Sequence, residues 1–421
     1  MKILLCTLLS VIWLVPVSAQ EANYDESKAG AYTLPKILIA DNGEPITSVK
    51  QWENQRRMEI LKKFEQAVYG RMPEKPSEMH FEIVEKFADA LNGRATRLQA
   101  RIHFNKAENI PPLTVLVYLP NSKRKIPIFV GLNFNGNHTI NHDPAIIVTD
   151  QYKVLNPGNE DSKRGANSGR WPVEEIITNG FGVATAWYEE LEPDHKDGFK
   201  AGIRTTLASE LGIKPDEWGA LAVWAWGLHR IADFLETIPE VDQSRMAVVG
   251  HSRLGKATLW AAANDTRFAL VVSNNSGEGG AALSRRNFGE TVERINRQFP
   301  HWFIDKYKDY NQRVADLPVD QHMLLALIAP RPLYVASASK DLWADPKGEF
   351  LSAVHAGEVY KLYGKKGLDT NAKPEPDVSV GKTIAYHIRT GEHDITPQDW
   401  RHYINFAKLH FGIAAHPTNR N

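Results

Sequence analysis

The chain has 421 residues, 43% of them hydrophobic and 24% charged, with 50 Lys and Arg set against 50 Asp and Glu. These proportions belong to a globular protein with a sizeable core, and the length allows one large domain or two. A formally neutral chain carries no electrostatic footprint for nucleic acid or an anionic membrane surface, so neither is expected as a partner.

The N-terminus reads as an export signal. Lys2 precedes an apolar run from Ile3 to Val15, and Val17-Ser18-Ala19 offers small residues for cleavage. The run is short for a membrane span and Pro16 interrupts it, so cleavage after Ala19 is expected in place of an uncleaved anchor. The one cysteine, Cys6, lies inside this signal, which leaves the mature chain no disulfide and no thiolate metal site. A secreted or bacterial periplasmic protein follows, with no membrane attachment after cleavage. Residues 1–19 are assigned to the signal peptide and 20–45, polar and turn-rich, to an N-terminal tail. Residues 46–415 are assigned to one catalytic domain, expected to act as a monomer.

Within that domain, residues 47–69 have helical spacing in Trp52, Met58, Ile60, Leu61, Phe64 and Val68. Leu98, Ala100, Ile102 and Phe104 alternate with polar Gln99, Arg101 and His103, as in a half-buried strand, and Leu113–Leu119 is a second β-prone run. These predict an N-terminal antiparallel set. Ile126–Phe134 reads as a buried strand running into Asn135-Gly136-Asn137-His138, which is either an ordinary turn or the source of a backbone donor for an oxyanion. Residues 141–175 lack periodicity and read as a surface insertion. A strand at Gly182–Trp187 leads into an acidic loop ending at Asp194, and Trp218–Leu235 reads as a long helix whose aromatics belong to the core.

The stretch from Met246 to Ala257 organises the rest. An apolar strand, a sharp turn at Gly250-His251-Ser252-Arg253 and an Ala- and Leu-rich helix from Leu254 to Ala263 give the layout of a nucleophile elbow, although Leu254 stands where the general motif has its second glycine. The bland alternative is that Ser252 only caps the helix. Further strands are read at Phe268–Val272, Pro332–Ser337 and Ile384–Ile388, and helices at Met323–Ile328 and Pro397–Phe411; residues 284–316 form a second irregular rim. Alternating strands and helices predict an α/β-hydrolase fold, a three-layer sandwich around a mostly parallel sheet.

In such a fold the acid follows a late strand and the histidine follows the last one. Asp341 and His393 occupy those places. His251, His322 and His387 compete for the base, and Asp345, Glu278 and Asp394 for the acid. A serine hydroxyl needs a neighbouring base to attack, and the imidazole needs a carboxylate to hold its tautomer. Arg253 and Lys256 lie on one side of the helix start, where cations stabilise an oxyanion. A solvated helix lysine is the alternative for Lys256, and a core position is the bland reading of Trp343. No His-Glu-x-x-His helix, P-loop or glycine-rich dinucleotide turn is present, so neither a metal nor a cofactor is expected.

The run Gly250-His251-Ser252-Arg253-Leu254-Gly255-Lys256 resembles the signature of the glucuronoyl esterases, carbohydrate esterase family 15. Further matches lie at Ser276-Gly277, Gly279-Gly280, Arg285-Arg286, Gly289-Glu290, Asp341, Trp343, Asp345, Gly348-Glu349-Phe350, Gly391 and His393. The resemblance implies a 4-O-methyl-glucuronoyl methylesterase that cleaves the ester joining 4-O-methyl-glucuronic acid on xylan to lignin alcohols. It implies Ser252 as nucleophile, His393 as base, Arg253 in the oxyanion hole, and Lys256, Glu290 and Trp343 around the sugar. Some members carry their acid as a glutamate immediately before the Ser-Gly pair; here that residue is Asn275, which shifts the expectation to Asp341. An acetyl-xylan or general carboxylesterase, and a non-catalytic xylan-binding protein, are the alternatives.

Overall fold

The structure is a computed structural model that describes residues 22–107, 110–158, 163–368, 370 and 372–413. The expected signal peptide therefore lies outside the described residues. Ten strands form one sheet: β1 (His80–Asp89), β2 (Ala95–His103), β3 (Leu113–Pro120), β4 (Ile126–Asn133), β5 (Gly182–Trp187), β6 (Val241–His251), β7 (Phe268–Asn274), β8 (Leu333–Ala338), β9 (Val380–Gly381) and β10 (Ile384–Arg389). Their spatial order is β1-β2-β3-β5-β4-β6-β7-β8-β10-β9. The run from β5 to β10 pairs in parallel, while β1, β2 and β3 add an antiparallel wing and β9 an antiparallel edge.

The central strands are buried on both faces, which is why they read as unbroken apolar runs. Ile128, Val130, Met246, Val248 and Val271 face one core, with helices α1 (Ala220–Leu235), α2 (Arg253–Asn264), α3 (Gln321–Ala326) and α4 (Pro346–Leu362). Phe129, Ala247, Val249, Leu270 and Val272 face the other, against α5 (Pro397–Phe411). This is the three-layer sandwich of an α/β hydrolase.

Four expectations change. The described part of the expected tail, residues 22–45, is not a tail. Ile37 and Ala40 are buried, and Asn23 binds the loop at 287–289 in both directions, donating from Nδ2 to Asn287 O at 2.5 Å and accepting from Gly289 N at 2.8 Å. Glu26 adds ion pairs to Arg286 at 2.9 Å and Lys347 at 2.8 Å. This segment is a strap across the loop that carries Glu290. Second, the insertion at 141–175 lies on the sheet. Gln99 donates to Ala145 O at 2.9 Å and accepts from Ile147 N at 2.8 Å, so the supposedly wet face of β2 is covered. Third, α1 starts at Ala220, with Gly219 as its cap in extended conformation. Fourth, residues 346–362, to which the sequence assigns no element, form the 17-residue helix α4. Its apolar residues spread around the axis because it packs between α3, β8 and β10, leaving no single stripe to read.

Candidate active site

The elbow forms because β6 must turn into α2 within one residue. Ser252 takes φ 57° and ψ −130°, a strained conformation for a residue with a side chain. Gly250 makes the turn possible: a Cβ there would stand 2.2 Å from Leu254 O and 2.4 Å from Thr258 Oγ1. Gly255, the displaced glycine, lets the helix close against the next loop, since its Cβ would lie 3.1 Å from both Gly250 O and the Ser276 side chain. Ser252 N donates to Asn274 O at 2.9 Å, tying the turn to β7. The N–H of Arg253 opens α2, where the first amides of a helix have no partner within it and the dipole is positive.

The loop after β10 brings His393 to this point. Its ring centroid lies 4.6 Å from that of His251, and its Nδ1 donates to Asp341 Oδ2 at 2.5 Å. Asp341 comes from the turn after β8 and is buried. Burial pushes its carboxyl up, but the hydrogen bond and charge of His393 and the amide of Asn275 outweigh that and hold it below the ordinary value. Asn275 donates to the same oxygen at 2.7 Å. Asn275, which the resemblance places where some glucuronoyl esterases carry a glutamate, therefore holds the carboxylate supplied by the later loop. Arg389 braces the His393 loop from below, donating to the carbonyls of Glu392 and Asp394 while paired to buried Asp399 at 2.9 Å.

The competitors are occupied elsewhere. His251 donates to Asn274 Oδ1 at 2.6 Å, and burial, with the neighbouring His393, pulls its pKa down to about 3. His322 binds Pro35 O, and His387 lies between Tyr334 and Asp399. Asp345 caps α4 and pairs with Arg286 at 2.8 Å. Asp394 pairs with Arg170 at 2.7 Å. Glu278 accepts from Gly279 N, Ser284 and Tyr307 in a buried pocket, where burial raises its pKa to about 7.

Lys256 is no solvated helix lysine. It is buried, donates to Ser276 O, and sits 3.8 Å from Glu290 Oε2. Burial pulls the lysine down and pushes the glutamate up, each opposed by the other's charge. Glu290 N donates to Trp343 O at 2.9 Å, so Glu290 and half-buried Trp343 form one wall. All seven residues singled out in the sequence thus cluster around the elbow. Glu349, buried beneath, accepts from Gly277 N at 2.9 Å and Ser337 at 2.6 Å and fixes the 276–280 loop.

Sequence reasoning missed the setting of Arg253. Its guanidinium binds Asp194 and lies 4.9 Å from the Trp302 ring, 5.5 Å from Phe299 and 5.8 Å from Phe134. Asp194 also accepts from His301 at 2.8 Å, Trp302 Nε1 at 2.7 Å and Tyr188 at 2.9 Å. The available signal was position: Asp194 lies in the loop after β5, beyond the carboxyl end of a parallel strand, where α/β sites are built. Phe134, on the loop after β4, also approaches His251, with ring centroids 6.0 Å apart. Among the described residues no group of three or more His, Cys, Asp or Glu is placed to hold a metal ion.

Comparison with known proteins fits this geometry. A carbohydrate esterase from an unknown prokaryotic organism is 46% identical over 399 residues, 92% of either chain. A glucuronoyl esterase structure from Solibacter usitatus superposes with TM-score 0.87 at 45% identity, over 92% of this chain and all of that one. The chain belongs to the glucuronoyl esterases of carbohydrate esterase family 15. A promiscuous family 15 esterase from a marine bacterial metagenome is as similar, with TM-score 0.86, 45% identity and cover of 93% and 100% of the two chains. The glucuronoyl esterase of Teredinibacter turnerae gives TM-score 0.79 at 34% identity over 94% of each chain. The family model described as glucuronyl esterase, fungi, matches residues 211–364, which spans the elbow, Glu290 and Asp341. The fungal 4-O-methyl-glucuronoyl methylesterase of Hypocrea jecorina aligns over a shorter stretch, 37% identical over 149 residues or 32% of each chain.

Proposed function

We propose that this protein hydrolyses esters of 4-O-methyl-glucuronic acid, such as those linking glucuronoxylan to lignin alcohols, through a Ser252–His393–Asp341 triad. The observation that carries the reading is the strained Ser252 at the tip of the elbow, next to His251, whose ring lies 4.6 Å from that of a histidine held by a buried carboxylate. Ser252 Oγ attacks the ester carbonyl as His393 takes its proton. The oxyanion faces the Arg253 N–H at the helix start, with the guanidinium behind it. His393 then protonates the departing alcohol, and water repeats the sequence on the acyl-enzyme. Lys256, Glu290 and Trp343 line the place for the sugar, a polar pair beside an aromatic face.

The test is turnover of benzyl glucuronate by the mature protein, with Ser252→Ala beside it. Turnover in wild type and its loss in the variant support the reading. Cleavage of acetylated xylan with glucuronate esters untouched sinks the substrate class. Because the marine relative is a promiscuous esterase, simple carboxylic esters belong in the same assay. Export through the signal at residues 1–19, to the periplasm or exterior, belongs to the same proposal. N-terminal sequencing of the secreted protein checks it, and a sequence still starting before Ala19 overturns it.

A further inference from the structure

Both cations of the site arrive with their charges already answered. Lys256 and Glu290 form a buried pair at 3.8 Å that is neutral overall whichever partner holds the proton. Arg253 is answered by Asp194, and Asp194 is held with unusual completeness. Its Oδ1 accepts from His301 Nε2 and Trp302 Nε1, and its Oδ2 from Tyr188 and Arg253. Its side chain is 3% exposed. A carboxylate with both oxygens filled by donors from three separate segments, one of them the start of α2, has no freedom to leave its arginine.

Hydrolysis turns a neutral ester and water into an alcohol, a uronate anion and a proton. A uronate carboxyl is ionised at neutral pH. The anion is born with an oxygen at the oxyanion position, beside Arg253. A lone guanidinium in this partly dry setting would hold that anion far more strongly than the ester. We propose that Asp194 is a specificity-determining residue that cancels the charge of Arg253, so that the site binds a neutral uronate ester and releases the uronate product. The guanidinium keeps its place against Trp302 and still offers directed N–H groups to the transition state. Asp194 thus acts through Arg253, not on the substrate itself. This rests on the uronate-ester function proposed for the same site.

The test is calorimetric binding of two ligands to the mature protein: glucuronate, and glucuronamide as its neutral counterpart. In wild type the two should bind within about fivefold of each other; glucuronate binding more than about fivefold tighter overturns the proposal. In Asp194→Asn, glucuronate should tighten by about tenfold or more, as expected for an anion near a guanidinium stripped of its partner. Glucuronamide should move by less than about threefold. A purely structural role for Asp194 predicts weaker binding of both, and that result, or no change, also overturns the proposal. Asp194→Glu keeps the charge and should keep the wild-type ratio. If the Asn variant does not fold, the wild-type ratio still decides. Turnover of benzyl glucuronate is measured on the same samples. An inactive wild type sinks the proposed reaction, whereas an active wild type with the wrong binding ratio sinks only this inference.

Discussion

Replacing Asp341 with Asn tests the heart of the proposed mechanism. Oδ2 of the carboxylate accepts from His393 Nδ1 at 2.5 Å and from Asn275 Nδ2 at 2.7 Å, and the Ala344 amide also favours its charged form. An asparagine side chain has only one accepting oxygen, so its NH2 displaces part of this set, and the negative charge that stabilises the imidazolium is gone. The same change in a serine protease triad costs about 10⁴ in turnover, roughly 5.4 kcal/mol at 1.36 kcal/mol per decade. A fall of about 10³ to 10⁴ in kcat on benzyl glucuronate is therefore expected, with KM changed less than about threefold. The control is Glu278→Gln. Its Oε1 accepts from three donors, of which a Gln carbonyl oxygen with two lone pairs can keep two, and none of the three belongs to the proposed triad, so turnover should stay within about fivefold of wild type. Initial rates for all three proteins, with unfolding midpoints to confirm folding, decide the matter. Asp341→Asn within about tenfold of wild type, or an equal loss in Glu278→Gln, refutes the assignment of the acid.

Ser252→Ala should lose turnover by about 10⁵ or more with the fold intact, and Ser252→Gly should be the more stable of the two by about 1 kcal/mol, because glycine tolerates φ 57°; equal unfolding midpoints would contradict the strain. Gly250→Ala should destabilise by about 3 kcal/mol or more, because its Cβ meets helix backbone at 2.2 Å, and wild-type stability in a denaturant titration would show that the elbow can relax. Burial raises the pKa of Glu349 from 4.5 to about 8, so the folded state keeps a proton the unfolded chain releases; its contribution to stability is complete below about pH 4.5 and fades as pH rises through 8. Glu349→Gln should accordingly flatten the dependence of the unfolding midpoint on pH across that window, and an unchanged slope would place the cause elsewhere.

Much of the fold was legible because the parallel strands are buried on both faces and appear as apolar runs. β5 and α5 have the predicted boundaries. The order Ser252, Asp341, His393 was legible for the same reason: each follows a recognisable strand. What escaped notice lacked a periodic signal. The helix from Pro346 to Leu362 is buried on several sides, and β1 leaves Ile83 and Phe87 exposed at an edge, so neither carries a regular stripe. Asp194 sits in an acidic loop that looks solvated, and only the docking of His301 and Trp302 from a distant loop reveals it as an anchor. The role of Asn275 was also hidden. A lost carboxylate reads as a deficit in one dimension, and only in three does its amide meet Asp341.

The strap has a consequence for the order of assembly. Asn23 is bonded to Asn287, 264 residues further along. A chain made from its N-terminus at about 5–20 residues per second extends for roughly 13–53 seconds before that partner exists. The residues of the strap are therefore among the last to find their place, and the wall formed by Glu290 cannot be locked until they do. Contacts this distant in sequence are slow to form, because loop closure comes before any gain from packing. The wall formed by Glu290 is thus set to mature after the central sheet, with the strap serving as its final fastening.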